Sequence, residues 1–166
     1  MRKQEIKKFN KTLSKNNLTI VCAESITAGM LSSSIASVAG ASSILKGSIV
    51  TYDRELKSTI LQVNPSTIDK YSAESIETTI EMAYGLLKLY PSSDIYVAVT
   101  GIASPGTEKY PVSGEVGDIF VAVYYKHLKP HLRLQTFITK IESTERNKIR
   151  EEAVRFIFEK ITNMVS

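Results

Sequence analysis

Two short segments gather the residues of this chain that could do chemistry. The first is Glu24-Ser25-Ile26-Thr27-Ala28-Gly29, and the second is Thr100-Gly101-Ile102-Ala103-Ser104-Pro105-Gly106. Each follows an apolar run and is rich in hydroxyl-bearing and small residues. Backbone N–H groups at a helix start favour an anion, and the hydroxyls of Ser25 and Thr27 can add to them. Gly101 lets a ligand approach the backbone closely. The plain alternative is two ordinary connections with hydroxyl caps; their joint occurrence argues for a site. Ser25 is the nucleophile candidate by position, but a serine is weak until a base stands beside it. His127 and His131 flank an expected hairpin turn, away from both segments, which removes a serine–histidine–aspartate triad. A lysine with a lowered pKa is the base that remains. Asp53, Asp69, Asp94 and Asp118 are widely spaced, and neither histidine belongs to a helical metal-binding pair. The expected chemistry therefore uses no metal and no cofactor.

The elements that must position these residues follow from periodicity. Ile6, Phe9 and Leu13 recur at helical spacing across 3–16, with Asn16-Asn17 as a stop. The run 18–23 is a candidate buried strand, and Met30, Leu31, Ile35 and Val38 then resume helical spacing until Gly40. A strand is expected over 48–52 and a helical turn from Asp53, ending before Asn64-Pro65. A long helix opens at 71–75, with Ser72 as its N-cap and Ile76, Ile80, Ala83, Leu86 and Leu87 as its buried stripe. Residues 95–99 form the clearest strand, β-branched and aromatic. Residues 119–125 and 132–138 are expected to pair antiparallel across Lys129-Pro130. The last helix begins near Ser143, with Ile149, Ala153, Phe156, Ile157 and Ile161 inward. Alternating helices and strands followed by a late hairpin give an α/β fold, a three-layer α/β/α sandwich around a mixed central sheet. Ligands of such open sheets sit at the carboxyl ends of strands, where both segments lie.

Composition is consistent with this. The chain has 166 residues, 43% hydrophobic and 23% charged, so one domain spanning 1–166 is expected, burying about 70% of its unfolded surface. The single Cys22 excludes a disulfide framework and a cysteine-cluster zinc site. No apolar run approaches the ~20 residues of a membrane span, and the charged residues 1–8 do not read as a signal peptide, so a cytoplasmic protein without membrane contact is expected. The net charge of +4 comes mostly from lysines scattered along helical faces, with one local cluster, Lys126-His127-Leu128-Lys129. No RNA-binding signature or helix-turn-helix spacing accompanies it, so a small anionic ligand fits better than nucleic acid.

These residues carry a resemblance. Glu24–Gly29 resembles the E-S-C-T-G-G motif of the CinA C-terminal domain family, whose active members are nicotinamide mononucleotide deamidases. Lys46-Gly47-Ser48-Ile49-Val50-Thr51-Tyr52 resembles its G-G-V-V-A-Y strand, with Lys57 where the family has a lysine shortly after that tyrosine. Tyr71-Ser72-Ala73-Glu74-Ser75 resembles its V-S-x-E-x element, and residues 98–106 its A-V-T-G-I-A-G-P-G-G. Arg146-Asn147-Lys148-Ile149-Arg150-Glu151-Glu152-Ala153 is similar to R-x-x-V-R-x-x-A. The collinear set runs from about Leu18 to the C-terminus. Longer members carry a further N-terminal domain, and the stand-alone form is expected here.

The resemblance implies an amidohydrolase that converts nicotinamide mononucleotide to nicotinic acid mononucleotide and ammonia. It implies Ser25 as nucleophile, Lys57 as its base, and Tyr52 orienting the serine or relaying its proton. Thr100 and the Gly101 amide are implied at the amide oxygen or ribose. Arg146 is implied on the phosphate, with Arg150 supporting it, and Glu24, Thr27 and Gly29 are implied around the substrate. A homodimer is implied as well. Departures are Ile26 for the motif's cysteine, Ala28 for its first glycine, Ser104 and Thr107 for glycines, and a rearranged segment 107–117. They motivate a competing reading, a nucleotide-binding module without turnover. The basic charge motivates another, a DNA-associated factor.

Overall fold

The computed structural model describes residues 3–166; Met1 and Arg2, part of the charged N-terminus, lie outside the described residues. Five strands form one open mixed sheet in the order β2-β1-β3-β4-β5. They are β1 (Ile20–Glu24), β2 (Leu45–Val50), β3 (Ile95–Gly101), β4 (Asp118–Tyr125) and β5 (Leu134–Lys140). β1 runs parallel to both β2 and β3, while β4 and β5 add antiparallel. β1 and β3 are therefore neighbours whose outgoing chains leave on different paths, and their carboxyl ends frame the crevice where such sheets place ligands.

Helices α1 (Lys3–Lys15), α2 (Met30–Ala36) and α6 (Arg146–Val165) pack on one another over one face. Their core joins Phe9, Leu13, Leu31 and Ile157 to Cys22, Val97 and Val121 of the sheet. On the other face, α3 (Arg54–Leu61), α4 (Pro65–Tyr71) and α5 (Ile76–Leu89) enclose Val21, Ala23, Tyr96 and Ala98. The sequence thus forms the expected three layers. Odd and even strand residues divide between the two cores because successive side chains point to opposite faces.

Four local differences from the sequence reading have physical causes. Residues 65–71 form α4, which Asn64 caps by accepting from the Ser66 amide at 3.0 Å, with Pro65 in the first turn. α5 starts after Ser75, not Ser72. Ser75 Oγ accepts from the Thr78 amide, and Ser72 adopts φ 85° in the turn between the helices. The buried stripe of α5 is Thr79, Met82, Ala83 and Leu86, leaving Ile76, Ile80 and Leu87 only half-buried. β2 ends at Val50, so Tyr52 stands outside the strand with its ring exposed. Among the described residues no helix is long and apolar enough to cross a membrane.

Candidate active site

The turn that follows β1 is organised around a carboxylate. Glu24 is fully buried and accepts five hydrogen bonds. Thr27 Oγ1 (2.7 Å), the Gly29 amide (2.9 Å) and the Leu31 amide (3.0 Å) donate to Oε2. The Ser32 amide (3.0 Å) and Ser48 Oγ (2.9 Å) donate to Oε1. The free amides at the start of α2, expected to hold a ligand anion, are thus occupied by the protein's own anion. Glu24, Thr27 and Gly29 are committed to one another and fix the shape of the turn.

Ser25 faces the opposite layer. Its amide donates to Val99 O at 3.0 Å, extending the β1–β3 pairing by one residue, and only 5% of its surface is exposed. Lys57 reaches it from α3, with Nζ donating to Ser25 Oγ at 3.0 Å and to Thr51 O at 2.9 Å. α3 is capped by Asp53, which accepts from the Glu55 amide, and it turns Lys57 and Leu61 inward while Leu56 and Ile60 face outward. A lysine thereby occupies a core position. Burial pushes its pKa below the usual 10.5, against the opposing charges of Glu74 and Asp53. Desolvation favours the neutral amine, the form that can take a proton from a hydroxyl.

β3 brings the second segment alongside. The Ile95 amide bonds to Thr19 O and Val99 O accepts from Ser25, so odd residues of β3 face β1; the Ile102 amide bonds toward β4 at Asp118 O. Gly101 continues the odd series, and its N–H points to the β1 side, where the strand has given way to the Ser25 turn. A β-carbon at Gly101 would sit 2.4 Å from Asp118 O, so only glycine fits. Thr100 is fully buried and its hydroxyl donates to Ala73 O at 3.2 Å, which ties β3 to the approach of α5.

Arg146, in the first turn of α6, spans the rim. Its Nη1 donates to Ser104 Oγ at 2.8 Å and its Nη2 to the Tyr52 hydroxyl. Tyr52 Oη is thus engaged by Arg146, while Lys57 is the group bonded to Ser25. One turn along, Arg150 donates to Thr27 O at 2.8 Å and to Asn147 Oδ1 at 3.0 Å, bracing the serine turn from outside. Beyond Ser104 a cleft of about 460 Å³ opens along the 102–116 segment, lined by Ile102, Pro105, Thr107 and Val112.

The departures from the family motif divide cleanly. Ile26 is 3% exposed and packs in the α1/α2/α6 core, so its exchange for cysteine is a core exchange. Ala28 lies in an exposed turn at φ 47°. Ser104 alone touches a residue of the rim. Residues that sequence reasoning missed are Thr51, whose carbonyl holds Lys57, and Ser48, which reaches Glu24. The roles of both depend on the β1–β2 pairing, and no local pattern carries them. Among the described residues no three His, Cys, Asp or Glu side chains converge as metal ligands would.

Comparison with known proteins agrees with the fold and places the chain. It is 42% identical over 156 residues to a CinA-like protein of Petrotoga mobilis, covering 92% of this chain and 36% of that one. It is 40% identical to a putative competence-damage inducible protein of Shouchella clausii, covering 87% and 32%. The chain thus spans about a third of the length of these relatives. The crystal structure of a competence/damage inducible protein from Agrobacterium tumefaciens superimposes with a TM-score of 0.84 at 26% identity, over 99% of this chain and 95% of that one. The sequence matches the CinA C-terminal domain across residues 3–165, and the chain belongs to that family.

Proposed function

We propose that this protein hydrolyses the carboxamide of nicotinamide mononucleotide, giving nicotinic acid mononucleotide and ammonia. The observation that carries the reaction class is the buried Lys57 amine 3.0 Å from Ser25 Oγ, with its pKa lowered by burial. The family resemblance supports the choice of substrate. Neutral Lys57 takes the Ser25 proton as Oγ bonds to the carboxamide carbon and the carbonyl π pair moves to oxygen. The Gly101 N–H, placed on the β1 side of β3 by strand alternation, is the candidate donor for this oxyanion. When the C=O re-forms, the C–N bond breaks, and the Lys57 ammonium protonates the departing NH2 group to ammonia. Water, deprotonated by Lys57, then attacks the Ser25 ester; the serine leaves with the proton returned by Lys57, and the carboxylic acid so formed gives its proton to solvent to become the carboxylate.

Arg146 suits the phosphate, because a guanidinium can grip it bidentately. Tyr52 and Ser104 hold that guanidinium at the rim, where a phosphate would take their place as its partner. The reading is tested by incubating the purified protein with nicotinamide mononucleotide and following ammonia and the acid mononucleotide. Release above a Ser25→Ala control is the expected result. No difference from that control at any pH between 6 and 10 contradicts the reading.

A further inference from the structure

Arg146 differs from Arg54 and Arg155 in having no acidic partner. Arg54 pairs with Asp69, and Arg155 with Glu152. Among the described residues no carboxylate reaches Arg146, whose terminal nitrogens rest on two neutral hydroxyls, Ser104 Oγ at 2.8 Å and Tyr52 Oη. A full positive charge held only by neutral groups keeps its attraction for an anion.

The two hydroxyls have chemistry of their own. A guanidinium can only donate, so in both bonds the hydroxyl oxygen is the acceptor and its own proton is unspent. Among the described residues no acceptor meets either proton. Ser104, Tyr52 and Arg146 are all exposed, so a ligand can reach them. Tyr52 follows Thr51, whose carbonyl holds Lys57, and Ser104 lies three residues past Gly101, a span of at most about 10 Å. These short tethers keep the rim within a nucleotide's reach of the Ser25–Lys57 pair. When a phosphate takes the guanidinium, Ser104 Oγ stands beside it with a proton to give, and the phosphate oxygens are strong acceptors.

We propose that Ser104 is a specificity-determining residue, donating its hydroxyl proton to the substrate phosphate alongside Arg146 and so favouring a phosphorylated nucleoside over the bare nucleoside. The identity of the nucleotide rests on the reading above; the choice of residue rests on the rim geometry. Ser104 stands where the resembling motif has a glycine, which has no hydroxyl to give, so the contact belongs to this chain. Of the two hydroxyls it is the one that can be removed alone, because Tyr52 is joined directly to the Thr51 carbonyl that fixes Lys57.

The test is a calorimetric titration of the Ser25→Ala chain, where no turnover intervenes, with nicotinamide mononucleotide, its dephosphorylated nucleoside and ribose 5-phosphate. Adding Ser104→Ala is expected to weaken both phosphorylated probes roughly tenfold, the worth of one hydrogen bond to a charged group, and to leave the nucleoside unchanged. Ser104→Thr, which keeps the hydroxyl, is expected to restore most of that loss. In an Arg146→Met background, Ser104→Ala should still cost the phosphorylated probes several-fold, which a serine acting only through the guanidinium would not do. Unchanged affinity for the phosphorylated probes, equal weakening of nucleotide and nucleoside, no binding of ribose 5-phosphate, or no further loss in the Arg146→Met background would each overturn the proposal. A mononucleotide that binds through Ser104 but is not hydrolysed by the parent supports it and contradicts the hydrolytic reading alone.

Discussion

Glu24 and Ser25 are neighbours in the chain and serve opposite layers of the fold, because the two-residue period of β1 carries past its last residue. Glu24 turns to α2 and neutralises its start, while Ser25 turns to α3 and meets Lys57. Lys57 is the residue whose chemistry depends most on its surroundings. Burial lowers its pKa, and Glu74 and Asp53 work in the other direction. Glu74→Gln takes away a negative charge that favours the ammonium, so the pKa falls further. The acid limb of the kcat/KM profile, which rises as Lys57 loses its proton, is then expected to move to lower pH. A profile of the variant across pH 6–10 checks this; an unmoved limb, or one displaced upward, would show that Lys57 is not the titrating base. Ser25 and its hydroxyl neighbours could be found from the sequence, because strand-to-turn chemistry is local. The burial of Lys57 could not, because Leu56 and Ile60 compete for the same apolar face and in fact point outward. Only the family resemblance singled out that lysine.

The strand–turn–helix element around Ser25 includes a backbone conformation that its sequence does not favour. Ala28 sits at φ 47°, in the left-handed region, where a β-carbon costs about 1–2 kcal/mol. Ala28→Gly relieves that strain but frees the unfolded chain by about 0.4–1 kcal/mol. Because the side chain is exposed and its loss removes no packing, a net stabilisation of about 0.5–1 kcal/mol is expected. Denaturant unfolding measures it, and a destabilised variant would contradict it.

At the opposite end of the sheet, Asp94 ties the starts of β1 and β3 to the β4–β5 connection. It accepts from the Thr19 amide (2.8 Å) and hydroxyl (2.6 Å), and its Oδ1 lies 2.8 Å from His127 Nε2. Desolvation is the largest influence on its pKa and raises it, but the hydrogen bonds from Thr19 and the bond and charge of His127 together outweigh it, leaving the pKa below 3.8. A depressed carboxyl pKa stabilises the fold above the unfolded value, and the contribution disappears as pH falls through the folded one. Asp94→Asn is therefore expected to cost about 1 kcal/mol at pH 7, modest because the group is partly exposed, and almost nothing near pH 2. Unfolding curves at the two pH values test this; a constant difference would contradict it. No local pattern marks the His127–Asp94 contact in the sequence, since the two residues lie 33 apart. α4 was hidden for a different reason: seven residues give too few turns for a periodic stripe, and only Asn64-Pro65 marked it.

Across the whole molecule, α3, α6 and the two strand ends each contribute one part of the candidate site. α3 supplies the amine, the turn after β1 the hydroxyl, the end of β3 the Gly101 amide, and α6 the guanidinium at the rim. The sheet order was beyond the sequence alone, because pairing partners depend on contacts distant in the chain, yet the layer count followed from element order. The central claim is that Ser25 and Lys57 act as one unit in hydrolysis. The most direct test is a double-mutant cycle in ammonia release from nicotinamide mononucleotide, comparing the parent with Ser25→Ala, Lys57→Met and the double variant. Groups that act as a unit give losses that do not add. Lys57→Met is expected to lower kcat by about 10²–10⁴-fold. Ser25→Ala should bring release to background, and the double variant should be no slower than Ser25→Ala. Full turnover in Lys57→Met, or losses that multiply between the two sites, would contradict the account.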